Sequence, residues 1–70
     1  MLIIWTIYDH PSDFPDSFVA RKFIGYEPTK EILVAGTLQE TRKIIQNLAG
    51  KQHRIARSSD DDPKIVESWL

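Results

Sequence analysis

Between Thr37 and Gly50 the chain carries one amphipathic helical period that has both a start signal and a stop signal, and this segment fixes what the rest must supply. Thr37-Leu38-Gln39-Glu40 reads as a capping box: the Thr37 hydroxyl accepts from the N–H of Glu40 while the Glu40 carboxylate reaches back to the N–H of Thr37. Leu38, Thr41, Ile45 and Leu48 then fall at steps of three, four and three, with Ile44 and Ala49 widening the apolar stripe. Gln39, Arg42, Lys43, Gln46 and Asn47 take the opposite, wet side. Gly50 stands where a left-handed residue would end the helix. A single helix with one apolar face needs a second layer to bury it, so the flanking segments must form a sheet.

Those segments read as strands. Residues 2–8 are nearly continuous Leu, Ile, Trp and Tyr, the pattern of a strand that is central or covered on both faces. Residues 9–16 concentrate Asp, Ser and Pro in an ordered loop. From 17 to 25 the chain alternates, with Phe18, Ala20, Lys22 and Ile24 on one side and Val19, Arg21, Phe23 and Gly25 on the other. A polar turn over 26–30 leads to a third strand at 31–35, the hairpin partner of the second. After the helix, 52–57 reads as a short, polar edge strand and 58–63 as a loop. Residues 64–70 read as a closing strand in preference to a helical turn started by Asp62 and Pro63. The order βββαββ predicts a two-layer α+β domain, a small antiparallel or mixed sheet with one helix packed on one face.

Seventy residues make a single domain, since a chain this short buries only roughly 60% of its unfolded surface and leaves no material for a second core. There is no cysteine, so disulfide staples, thiolate metal sites and thiol nucleophiles are excluded, and a cytoplasmic setting is expected. The apolar start lacks the basic flank and cleavage pattern of a signal peptide and is too short to span a bilayer, so no membrane role is expected. A net charge of −1 gives no global case for nucleic acid.

Ile7-Tyr8-Asp9-His10-Pro11-Ser12-Asp13-Phe14-Pro15, Phe18-Val19-Ala20-Arg21, Thr37-Leu38-Gln39-Glu40-Thr41-Arg42 and the final Asp61-Asp62-Pro63-Lys64-Ile65-Val66-Glu67-Ser68-Trp69-Leu70 together cover most of the chain. In these segments it resembles a family of very small conserved hypothetical proteins of bacteria and their phages. The resemblance implies a prokaryotic or phage setting and supplies no site. Where the family pattern has a Pro-rich turn after the helix, this chain has Ala49-Gly50-Lys51-Gln52.

Four groups of residues could carry function. Asp9, His10, Asp13 and Asp16 put one imidazole and three carboxylates within eight residues, a set that could hold a cation or act as acid and base. Their ordinary role is turn chemistry, and no nucleophile or oxyanion site accompanies them. From Arg42 to Arg57 there are Arg42, Lys43, Lys51, Arg54 and Arg57, with His53 and no acid, a local charge of +5. Such a patch suits an acidic protein surface or phosphates, with Arg21 and Lys22 extending it if the sheet places them adjacent. No aromatics are interleaved to form the stacking platform of a single-strand binder. Asp60-Asp61-Asp62 is ordinarily a self-repelling loop, and it makes the charge segregated along the chain. Trp5 belongs to the core, whereas Trp69 is either a residue pinning the last strand or an interface anchor beside Arg54 or Arg57, the first being the more usual.

These features favour a small non-enzymatic protein-binding or regulatory module of a bacterium or phage, with Arg42, Lys43, Arg54, Arg57 and Trp69 as the binding residues and no catalytic set, cofactor or metal. A nucleic-acid binder using Arg42–Arg57 is the alternative, and a phage inhibitor of a host protein a lesser one. Homodimerisation through an edge strand is compatible with the first reading.

Overall fold

The computed structural model describes residues 2–48, 50, 53–58 and 62–70. The expectations placed on Ala49, Lys51, Gln52, Ser59, Asp60 and Asp61, and on the side chain of Leu48, lie outside the described residues. Among the described residues the order is β1 (Ile3–Asp9), β2 (Phe18–Ile24), β3 (Glu27–Ala35), α1 (Leu38–Leu48), β4 (Arg54–Ala56) and β5 (Ile65–Trp69). This is the βββαββ order expected, and every pairing in the sheet is antiparallel. The strands lie in the order β3-β2-β1-β5-β4, so the apolar first strand is central, as its composition predicts.

Strand alternation divides the sheet into two unlike faces. Trp5 and Ile7 pair with Lys22 and Ala20 on one side and with Trp69 and Glu67 on the other, so these residues share a face. The helix packs there: Ile45 joins Trp5, Ile7, Ala20 and Trp69 in the core, with Phe18, Leu33, Leu38 and Val66 packed around them. Ile7 and Ile45 are wholly buried, which at roughly 1.5–3 kcal/mol for each such side chain is a substantial part of what holds so small a domain together. The other face carries Ile4, Thr6 and Tyr8 from β1, Val19, Arg21 and Phe23 from β2, Ile32 and Val34 from β3, Ile65 and Ser68 from β5, and Ile55 from β4.

The second hairpin is tighter than the sequence suggests. The expected turn over 26–30 is a two-residue turn, Gly25-Tyr26, and β3 begins at Glu27 opposite Ile24. Gly25 has φ of 62° and Tyr26 is not in the positive region, the pattern of a type II′ turn with glycine at its first central position. Pro28 fits the strand because β3 is an edge and needs no N–H there. The register shifts between Arg21 and Phe23, and the Thr29 hydroxyl donates to the Lys22 carbonyl at 2.9 Å across the irregularity. A further irregularity in β5 matters more: Ile7 faces Glu67 while Tyr8 faces Ile65, so Val66 is an extra residue. Without that bulge Ile65 and Glu67 would share a face.

The helix begins as its capping box predicts, with one exchange of partner. The N–H of Glu40 donates to Thr37 Oγ1 at 3.1 Å, and the Glu40 carboxylate accepts from the Thr37 hydroxyl at 3.2 Å in place of the Thr37 N–H. Thr41, fully buried in the apolar stripe, donates its hydroxyl to the Thr37 carbonyl at 2.9 Å and so brings no unsatisfied group into the core. Gly50 has φ of 65°, the left-handed conformation expected just past the helix. Replacing the cap, Thr37→Ala, should lower stability by about 1 kcal/mol. Urea denaturation would show this as a lower midpoint with an unchanged slope, and an unchanged midpoint would mean that the cap contributes nothing.

Candidate functional site

The most concentrated chemistry lies on the helix side of the sheet, around an acid that sequence reasoning does not single out. Glu67 is only 1% exposed, facing the helix side with Trp69 by ordinary strand alternation, while the bulge at Val66 turns Ile65 to the other face. Its two oxygens accept from four donors on three elements. Arg42 of α1 grips it with Nε to Oε2 at 2.8 Å and Nη2 to Oε1 at 2.7 Å. Arg54 of β4 adds Nη1 to Oε1 at 3.3 Å, and the Trp69 indole donates to Oε2 at 2.8 Å. Burial works against the charged form and is the largest single influence on this carboxyl. The hydrogen bonds from Arg42 and Trp69 and the charges of Arg42 and Arg54 together outweigh it, and the pKa of Glu67 lies below the ordinary glutamate value. The hydrogen bond to Glu67 correspondingly raises that of Arg42 against the opposing effect of burial.

Of the residues expected to bind a partner, Arg42 and Arg54 are therefore brought together, and by a carboxylate of the protein itself. Arg42 does not lie wholly on the wet side of the helix, since its guanidinium turns back to the sheet. Both side chains still reach water, at 36% and 51% exposure. Lys43 and Arg57 are exposed, and neither is among the groups that hold Glu67. Trp69 is 4% exposed, the core placement that the sequence ranks above an interface role. Arg21 lies on the opposite face of the sheet from Arg42 and Arg54, and Lys22, on the helix face, is separated from β4 by β1 and β5. Lys22 pairs with Glu31 at 2.8 Å, and Arg21 approaches Asp13 at 3.8 Å on the opposite face.

The acidic loop is turned by backbone hydrogen bonds, from the Phe14 N–H to the Pro11 carbonyl at 2.9 Å and from the Ser17 N–H to the Phe14 carbonyl at 3.2 Å, and its Asp9 and Asp13 carboxylates meet side chains in place of the loop N–H groups expected. Asp9 pairs with the His10 imidazole, His10 adopts φ of 48°, and its ring meets Phe18 edge-on at 5.1 Å between centroids. The N–H of His10 donates to the Ser17 carbonyl at 3.0 Å, and Lys64 Nζ donates to the His10 carbonyl at 2.9 Å, tying the loop to the start of β5. Asp62 closes that start from the other side, accepting the N–H of Lys64 at 2.9 Å. Among the described residues no group of three His, Cys, Asp or Glu side chains converges as a metal site, and no helix is long and apolar enough to cross a membrane.

The uncovered face of the sheet is the second candidate. Ile4, Thr6, Tyr8, Phe23, Ile65 and Ser68 line a shallow hollow of about 310 Å³ bordered by Gly25 and the fully exposed Tyr26. The Thr6 and Ser68 hydroxyls bond to each other across β1 and β5 at 3.1 Å, which leaves a floor without charge. Val34 and Ile55, on the two edge strands, are 44% and 41% exposed. Alternation in the sequence separates these residues from the core set. It does not tell which set the helix covers.

The Glu67 cluster generates a pH prediction. Glu67→Gln should lower stability by roughly 2–3 kcal/mol at neutral pH, because the arginines lose their charged acceptor while the buried site stays polar. Since the folded-state pKa is the lower one, the carboxylate's contribution is complete above the unfolded value of ~4.3 and is lost as pH falls through the folded value. The stability gap between the native protein and Glu67→Gln should therefore be level near neutrality and narrow below about pH 4. Denaturation midpoints measured across that range check it, and a gap that does not change with pH would exclude the carboxylate as its source.

No family model, no curated protein and no solved structure matches this chain, which leaves the arrangement of these groups as the ground for a functional reading.

Proposed function

We propose that this domain is a small, non-enzymatic protein-binding module of a bacterium or phage that takes its partner on the uncovered face of its sheet. The observation that carries the reading is the apolar character of that face: Val34 and Ile55 stand exposed at its two edges, and Tyr26 is fully exposed beside the hollow between Tyr8, Phe23 and Ile65. Ile4, Tyr8, Phe23 and Ile65 lie between the two edges, and a sheet face that is apolar across this width favours contact with another protein. The floor between them is made of paired hydroxyls, and the cation near its centre, Arg21, lies close to Asp13. The partner that fits is thus a protein surface that is itself largely apolar. Two features weigh the nucleic-acid reading down: Arg42 and Arg54 share one carboxylate, and Arg21 lies on the opposite face of the sheet. The prokaryotic or phage setting rests on the sequence resemblance alone.

The test joins capture to a surface variant. The tagged domain is expected to recover a specific protein from a bacterial lysate after nuclease treatment. Val34→Glu/Ile55→Glu, which alters two exposed positions, should abolish recovery while leaving the unfolding free energy within about 0.5 kcal/mol of the parent. Recovery that is nuclease-sensitive, or that survives the double variant, would overturn the reading. Light scattering on the isolated domain separates self-association from binding of a different protein, and a dimer dissociated by the same variant would identify the partner as a second copy.

A further inference from the structure

We infer that Arg42 and Arg54, held from behind by Glu67, form a carboxylate-binding site on the helix side of the domain, suited to an acidic side chain of a protein ligand. The two guanidinium groups come from different elements, the helix α1 and the edge strand β4, yet Nη2 of one and Nη1 of the other reach the same oxygen, Glu67 Oε1, at 2.7 and 3.3 Å. Arg42 spends Nε and one hydrogen of Nη2 on Glu67, and Arg54 one hydrogen of Nη1. A guanidinium carries five N–H donors in a planar fork, so most of those on Arg54 and the Nη1 group of Arg42 are left over after Glu67 is satisfied. With 36% and 51% of these side chains exposed, ligands can approach them.

Preorganisation distinguishes this pair from other surface arginines. An isolated arginine loses side-chain freedom when it grips an anion, which is one reason exposed ion pairs contribute little. Here Glu67, itself fixed by the Trp69 indole, has already restricted both side chains, so a ligand meets a donor set in place. Charge separates a carboxylate from a phosphate dianion, and the duplex DNA titration separates it from the singly charged phosphodiester. Two guanidinium groups and one carboxylate leave a single positive charge, which one carboxylate neutralises. A phosphate dianion would instead leave net negative charge beside the buried Glu67. Planar N–H forks also match the geometry of a carboxylate edge. Glu67 is a positioning residue in this arrangement, and the inference stands whether or not the uncovered sheet face takes a partner.

The experiment follows the arginine side-chain Nε–H signals by NMR as acetate replaces chloride at constant ionic strength, with inorganic phosphate and a short duplex DNA in parallel titrations. The expected result is a saturable shift of the Arg42 and Arg54 signals with a common midpoint, while Arg21 drifts linearly. Arg54→Gln should weaken acetate binding, read at Arg42, about tenfold. Arg54→Lys, which keeps the charge and loses the fork, should weaken it similarly, whereas Lys43→Gln and Arg57→Gln should leave the midpoint within a factor of about two. Backbone amide spectra confirm that each variant is folded, and Arg54→Lys serves if Arg54→Gln is not. Linear drift of Arg42 and Arg54 with acetate would overturn the site. Saturation by phosphate or DNA without saturation by acetate would overturn the ligand class.

Discussion

The buried carboxylate of Glu67 is the constraint on which the helix side of the molecule depends. A lone ionised acid in an apolar interior is prohibitively unfavourable, so its place must be surrounded by donors before the structure can close. Three elements supply them: α1 through Arg42, β4 through Arg54 and β5 through Trp69. Neither the helix nor the edge strand can shift without stranding that charge. This matters most for β4, three residues long and exposed throughout, which has little apolar burial to hold it to β5. An apolar cluster of the same volume would serve stability as well or better, because desolvating an ion pair costs much of what the pairing returns. A charge with four directed bonds instead specifies one position for each contributor.

The bounds of the helix were legible because its signals are local: a cap, a period and a glycine all lie within fourteen residues. The strand order was legible from alternation and turn residues, and the central place of the first strand from its unbroken apolar run. Two features were not. Pro28 reads as a turn residue, and only the sheet's order reveals that it lies on an edge where proline is harmless. Glu67 alternates with Ile65 and Trp69 as if all three faced one way, and the bulge at Val66 removes Ile65 from that set. A bulge depends on pairing with a strand far away in sequence, so no local pattern announces it. The same gap explains the candidate residues. Arg42 and Arg54 stood out as charges, but that a shared acid would turn them toward each other depends on Glu67. Val34 and Ile55 carried no signal beyond alternation.

The two faces of the sheet have been given different work. One is shut by the helix and organised by directed charge. The other carries no helix among the described residues: Val19 and Thr6 on it are buried, and Val34, Ile55 and Tyr26 stand exposed around them. Among the described residues one helix covers one face, so a face without a helix follows from the element count itself. What the sequence chooses is how polar to make it, and here it places Ile, Val, Phe and Tyr where Lys and Glu would have been cheaper to solvate.

The strand order also sets when this domain can become folded. Its first and last strands are neighbours at the middle of the sheet, and Thr6 reaches Ser68 across 62 residues of chain. Native pairing of β1 on that side must wait until β5 has left the ribosome, so a nascent chain holds its most apolar strand half unpaired throughout synthesis of the domain. Topologies dominated by such distant contacts close slowly, and an exposed strand of this composition is prone to wrong pairing in the interval. Until β5 arrives, the segment that forms the centre of the native sheet is a liability best met by low concentration or by a chaperone.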